Sequence, residues 1–236
     1  MTPRRWEGIL LDFYGTVVDE DNAALYELIG EAIDSSPEWI DRPDSQEIVA
    51  WIGRQFGIRT AGSAGSTYQT ELDITSEILR EAEQQWDLVL DVSSALDRLY
   101  EVWSTPPLMI GVRNFLSTND LPICLLTNAD NKSLHAAVKR LDLKFEHIVT
   151  SEDCRAYKPD TLLFIAGAEA LGLEPHSVIH IGDSLRADGT GAANAGIDFI
   201  WINPAGHEPL GDSAARPVAH VVGLSAVSGI LDKSRD

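Results

Sequence analysis

Asp12 closes the apolar run Ile9-Leu10-Leu11 and is followed by Phe13-Tyr14-Gly15-Thr16. Three later stretches place polar groups in the same way. Thr127 and Asn128 follow Ile123-Cys124-Leu125-Leu126, Lys158 lies in the loop Cys154 to Asp160 after His147-Ile148-Val149-Thr150, and Asp183 follows Val178-Ile179-His180-Ile181-Gly182, with Asp188 five residues on. A carboxylate can attack phosphorus or carbon and form a covalent intermediate that water then hydrolyses. One or two further carboxylates suit a hard cation such as Mg²⁺, and a nearby lysine neutralises an anionic group brought up to them. Each residue also has an ordinary structural reading: Asp12 as the start of a tight turn, Asp188 as an acid at a helix N-terminus, Lys158 as a solvated loop lysine, Thr127 as a strand-end threonine. What joins them is position, because open α/β sheets bind ligands at the ends of their strands.

The segments between these residues predict such a sheet. Short apolar runs at 9–11, 123–126, 147–150, 178–181 and 199–202 alternate with helical spacings, at Leu134, Val138 and Leu141 and again at Phe164, Ala168 and Leu171. A helix is predicted from about Ala187 to Asn194, a sixth short strand over Val218 to Val222 and a closing helix over Leu224 to Leu231. Alternation of this kind predicts an α/β fold, a doubly wound parallel sheet whose right-handed crossovers bring the strand ends to one edge. Residues 19–105 lack strand signals: Leu25, Leu28, Ile29, then Ile48, Trp51, Ile52, then Leu72, Ile78, Leu79 and finally Leu96, Leu99, Trp103 all repeat at helical spacing. The expected organisation is a catalytic core of residues 1–18 and 106–236 with a helical domain, 19–105, inserted after the first strand. Trp51, Trp86 and Trp103 fall on the apolar faces of that insert and read as its core.

Composition narrows the partners. With 37 acidic and 18 basic residues the chain carries a net charge of -19, which argues against nucleic acid or an anionic membrane as partner. The same field opposes an anionic substrate, so a site for one needs its own cation from a metal, Lys or Arg. Two cysteines, Cys124 and Cys154, suggest neither a disulfide framework nor a thiolate metal site. The opening Met1-Thr2-Pro3-Arg4-Arg5 is not followed by an apolar segment long enough for export. A cytoplasmic protein is the expectation, in which any anionic small-molecule substrate would have to meet such a cation, with oligomeric state open. His135, His147, His180 and His207 show no ligand spacing and receive no chemical role.

The order Asp12, Thr127, Lys158, then Asp183 with Asp188 resembles the four motifs of the haloacid dehalogenase superfamily, and the helical insert resembles its C1-type cap. The resemblance covers almost the whole chain. It implies a Rossmann-like core, a catalytic set of Asp12, Tyr14, Thr127 and Lys158, and Asp12 as the nucleophile. It implies Mg²⁺ held by Asp12, Asp183 and the Tyr14 backbone carbonyl, with Asp188 supporting it directly or through water. Lys158 would pair with Asp12 and the transferred anion, and Thr127 would donate its hydroxyl to a phosphate oxygen. Thr16 and Asn128 are the candidate substrate contacts in the core, and Arg54 and Arg59 those in the insert.

Two features of the resemblance pull apart. Superfamily phosphatases place a second aspartate two positions after the nucleophile, as general acid and base; here that residue is Tyr14, a phenol whose ordinary pKa of about 10 suits it poorly to the task. The Asp-x-Tyr-Gly-Thr form resembles the metal-independent 2-haloacid dehalogenases. Those resemble Ser-Ser-Asn in the fourth motif, where this chain has Gly182-Asp183-Ser184. They also carry an arginine soon after the first motif, absent between Val17 and Asp41, and an aromatic hydroxyl where this chain has Phe164. The expected function is a Mg²⁺-dependent phosphatase forming an aspartyl phosphate, with a 2-haloacid dehalogenase-like hydrolase or a non-catalytic binding protein on the same fold as alternatives.

Overall fold

The computed structural model describes residues 6–20, 22–39, 41–207 and 215–233; Arg4, Arg5 and Asp21 lie outside them. Along the chain run β1 (Gly8–Leu11), α1 (Ala23–Ser35), α2 (Ser45–Gly62), α3 (Glu71–Trp86), α4 (Val92–Ser104), α5 (Val112–Thr118), β2 (Ile123–Thr127), α6 (Asn131–Arg140), β3 (His147–Thr150), α7 (Ser151–Cys154), α8 (Thr161–Ala170), β4 (Val178–Gly182), α9 (Thr190–Asn194), β5 (Asp198–Ile202), β6 (Ala219–Val221) and α10 (Ser228–Lys233). All six strands are parallel, in the order β3-β2-β1-β4-β5-β6. This is the expected α/β, doubly wound sheet. β1 and β4 are buried throughout, which is why they read as unbroken apolar runs rather than alternating ones. β1 has β2 on one side and β4 on the other. The strand order therefore reverses at β1, and the crevice where such a sheet takes its ligands opens at Asp12.

The chain divides into two compact units. The first, Met1–Glu20, Pro107–Asn128 and Leu143–Asp236, holds the sheet. Its core includes Leu10, Leu126, Phe164, Phe199 and Trp201, all buried. The second, Asp21–Pro106 and Ala129–Asp142, is helical and contains α6 as well as α1 to α4. A capping box of Asp44 and Glu47 starts α2, while α3 receives Asp130, whose carboxylate accepts from the amides of Glu71 at 2.8 Å and Leu72 at 3.0 Å. Trp51 and Trp86 meet edge to face inside this unit at 5.0 Å. Among the described residues no helix is long and apolar enough to cross a membrane.

The segment predicted as one helix from Ala187 is different in detail. A π-helical turn, Leu185–Gly189, precedes the short α9. The Ser184 carbonyl accepts from the amides of both Asp188 and Gly189, at 2.9 and 3.0 Å, and the Ser184 hydroxyl accepts from Ala187 at 3.0 Å. The wide turn buries Asp188 completely, an insertion of the kind that π geometry often makes at functional sites.

Candidate active site

Four charged side chains converge where β1, β4 and the loop after β3 end. Lys158 Nζ lies 2.6 Å from Asp12 Oδ1 and 2.6 Å from Asp188 Oδ1, and it also donates to the Leu126 carbonyl at 3.3 Å. Asp12, Lys158 and Asp188 are all buried. Ligand oxygens of Asp12, Asp183 and Asp188 lie within 4.8 Å of one another. Two glycines make this crowding possible. Gly15, at φ +78°, would bring a Cβ to 2.6 Å from the Asp183 carboxyl, and Gly182 would bring one to 2.4 Å from Asp188 Cγ. Gly182→Ala is accordingly expected to push Asp188 off Lys158, lowering stability by about 1–3 kcal/mol together with turnover, as read by urea unfolding and an activity assay on the same preparation.

Burial and mutual repulsion set the protonation of the cluster. Burial raises Asp12 well above the ordinary aspartate value, with Asp188 and Asp183 adding to it against the opposing pull of Lys158. Asp183 is pushed up to about 7, by burial first and then by Asp188 and Glu20. Burial would raise Asp188 too, but Lys158 and His180 pull it well below the ordinary range. Burial opposes the charge on Lys158, but Asp12 and Asp188 outweigh it and hold the ammonium protonated. Asp12 and Asp183 thus lack a full complement of positive charge. An all-carboxylate oxygen donor set in that condition fits Mg²⁺.

A pH dependence follows. The folded pKa of Asp183 stands near 7 against an ordinary 3.8, so the stability associated with this carboxyl is greatest below the lower value and is lost as pH rises toward the upper. Asp12 acts in the same direction. The metal-free protein is expected to melt at progressively lower temperature between pH 4 and about 7, with Asp183→Asn making the dependence shallower. Scanning calorimetry across that range checks it.

The other residues singled out in the sequence have varied surroundings. Thr127 ends β2 and is buried. Thr16 is buried with a hydroxyl that has no hydrogen-bond partner. The Tyr14 backbone forms a bridge with Val18, and its ring packs edge to face on Phe13 at 5.0 Å. Asn128, a candidate substrate contact, clamps the Lys158 peptide: Oδ1 accepts from the Lys158 amide at 2.7 Å and Nδ2 donates to its carbonyl at 3.2 Å. Arg59 pairs within the helical unit with Glu77 at 3.2 Å and Glu81 at 2.5 Å, and Arg54 is exposed on α2. Phe164 is core, packed edge to face on His180 at 5.0 Å.

Sequence reasoning missed His180. It lies in the middle of β4, completely buried, with Nε2 2.8 Å from Asp188 Oδ1. Below Asp183, the Trp201 indole donates to the Asp183 carbonyl at 2.7 Å. Both residues hold an acid of the cluster from behind.

A parallel sheet with carboxylates and a buried lysine gathered at its switch point defines an α/β protein with an acidic site at the end of its first strand. A family model described as haloacid dehalogenase-like hydrolase matches residues 6–196, and the chain belongs to that family. It is 26% identical to an (S)-2-haloacid dehalogenase of Pseudomonas sp. (strain YL) over 234 residues, 96% of this chain and 94% of that one. It is 29% identical to N-acylneuraminate-9-phosphatase of Mus musculus over 116 residues, 48% of this chain and 44% of that one. Among solved structures, the L-2-haloacid dehalogenase RSc1362 shares the fold, with a TM-score of 0.75 and 20% identity over 98% of this chain and 99% of that one.

Proposed function

We propose that this hydrolase cleaves a small phosphate ester with Mg²⁺ through covalent attack by Asp12. The observation that carries the reading is the convergence of Asp12, Asp183 and Asp188 with a single lysine among them. Asp12 and Asp183, with the Tyr14 backbone carbonyl, would hold the cation. Asp188, whose two oxygens already accept from Lys158, His180 and the Ser184 amide, would stand behind it. Bound there, Mg²⁺ supplies the positive charge that lets a phosphoryl anion approach a carboxylate.

An Asp12 carboxylate oxygen attacks phosphorus and the bond to the leaving oxygen breaks. Water then hydrolyses the aspartyl phosphate and regenerates Asp12. Lys158 stays beside Asp12 and the transferring group, and the Thr127 and Thr16 hydroxyls face phosphate oxygens. With Tyr14 in place of a carboxylic acid, the leaving group receives little help from a proton donor. Esters of acidic alcohols and phenols are the favoured substrates.

A second reading, attack by Asp12 on the halogen-bearing carbon of a 2-haloacid, is favoured by a specific observation. The Pseudomonas relative matched along nearly the whole chain is named a dehalogenase, whereas the phosphatase of Mus musculus matches only about half of it. Overall similarity supports this second reading more than the first. The residues weigh against it: a third acid, Asp183, joins Asp12 and Asp188 in the cluster, and Phe164, where those dehalogenases are expected to carry an aromatic hydroxyl, is core.

The test incubates the protein with p-nitrophenyl phosphate and with 2-chloropropionate, each with Mg²⁺ and with a chelator, and reads phosphate and halide. Phosphate release that the chelator abolishes is expected. Halide release indifferent to the chelator establishes the second reading and removes the first.

A further inference from the structure

We propose that His180 is a positioning residue for Lys158: its neutral imidazole donates from Nε2 to Asp188 Oδ1, and the carboxylate held in this way fixes the Lys158 ammonium against Asp12. The inference rests on Asp12 as nucleophile and is independent of which electrophile Asp12 attacks.

One carboxylate oxygen carries the connection. Asp188 Oδ1 accepts from His180 Nε2 at 2.8 Å and from Lys158 Nζ at 2.6 Å, while Oδ2 accepts from the Ser184 amide at 2.9 Å. Three donors from three directions leave the carboxylate no freedom to rotate. Lys158 Nζ is then shared between Asp188 and Asp12 at equal distances of 2.6 Å. Without the imidazole donor, Oδ1 has Lys158 as its only partner. The ammonium is drawn toward Asp188 and away from the nucleophile.

The ring is built to hold one proton in one place. It is fully buried, stacked on Phe199 at 6.0 Å with 20° between planes and met edge-on by Phe164 at 5.0 Å. Nδ1 makes no hydrogen bond by geometry, and the one group that favours a proton on the ring from the backbone is the Leu10 carbonyl of the paired strand. A bare Nε2 would set its lone pair against a carboxylate, a larger cost than leaving Nδ1 without a proton beside a neutral carbonyl. The proton therefore belongs on Nε2. Were filling the space between two phenylalanines the only requirement, an apolar side chain would meet it without leaving a buried nitrogen unpaired.

The test uses the full chain with His180→Gln, whose amide can donate in place of Nε2, and His180→Leu, which cannot. Nitrogen-15 NMR of the wild type at neutral pH is expected to show His180 protonated on Nε2 and bare at Nδ1. The Lys158 ammonium signal is expected to shift in the Leu variant and to stay near its wild-type position in the Gln variant. With whichever of p-nitrophenyl phosphate or 2-chloropropionate the wild type turns over, kcat should fall about 10–100-fold in the Leu variant, with KM nearly unchanged, and recover to within about threefold in the Gln variant. A merely structural histidine gives the reverse order, since Leu packs between the phenylalanines better than Gln. Equal kcat in wild type and Leu variant, or a proton on Nδ1, overturns the proposal. If neither substrate is turned over by the wild type, the functional reading fails alone. The Lys158 signal then decides, and an unchanged signal in the Leu variant overturns the positioning role.

Discussion

Asp12→Asn is expected to reduce turnover by about 10⁴-fold or more, because on the proposed reading Asp12 forms the covalent intermediate, and at the same time to raise the melting temperature. The second half follows from the sign of the Asp12 shift. Burial and the neighbouring acids hold its pKa above the ordinary value despite Lys158, so the ionised form is less stable in the folded chain than in the unfolded one. At neutral pH the native carboxylate is a net cost, which asparagine removes. Calorimetry at pH 7 and a turnover assay on one sample check both parts. Substantial residual turnover would dismiss Asp12 as the nucleophile, and a large fall in melting temperature would dismiss the account of its charge.

Lys158→Met should damage both properties together. It leaves Asp12 and Asp188 buried without their shared cation, and breaking a buried pair by removing one partner costs about 3–5 kcal/mol. The loss should also depend on pH in a definite direction. Acid protonates the carboxylates and relieves the repulsion, so the variant should come closest to the wild type near pH 4 and fall furthest behind near pH 8. Urea unfolding at the two pH values measures the difference. A deficit independent of pH would mean that lost packing by the lysine stem outweighs lost charge.

The sheet was legible because its central strands β1 and β4 are buried throughout, which leaves the continuous apolar runs Ile9-Leu10-Leu11 and Val178-Ile179-His180-Ile181 in the sequence. Asp12, Lys158, Asp183 and Asp188 were legible by position, since each follows such a run or its loop. His180 was not, because it sits inside a run. Its signal was an isolated polar residue in an otherwise apolar strand, which needs a buried partner, but the partner, Asp188, lies within a turn whose π geometry no periodicity announces. Asn128 reaches 30 residues along the chain to clamp Lys158, and nothing local to Thr127-Asn128 points there. The ion pairs of Arg59 were not legible because its acids, Glu77 and Glu81, stand on the next helix rather than one turn away on its own.

The pairing of β1 has a consequence for how the protein is made. Ile9 lies beside Ile123 on one side and Ile179 on the other, so the first strand to leave the ribosome is among the last to be enclosed. Until β2 is made Ile9-Leu10-Leu11 has no neighbouring strand to hide it, and until β4 is made it is covered on one side alone. Distant pairings of this kind fold slowly and leave aggregation-prone segments exposed meanwhile. Recombinant yield should therefore respond to growth temperature and chaperone supply more than the stability of the finished protein would suggest, and truncations that stop before β4 should accumulate as aggregates.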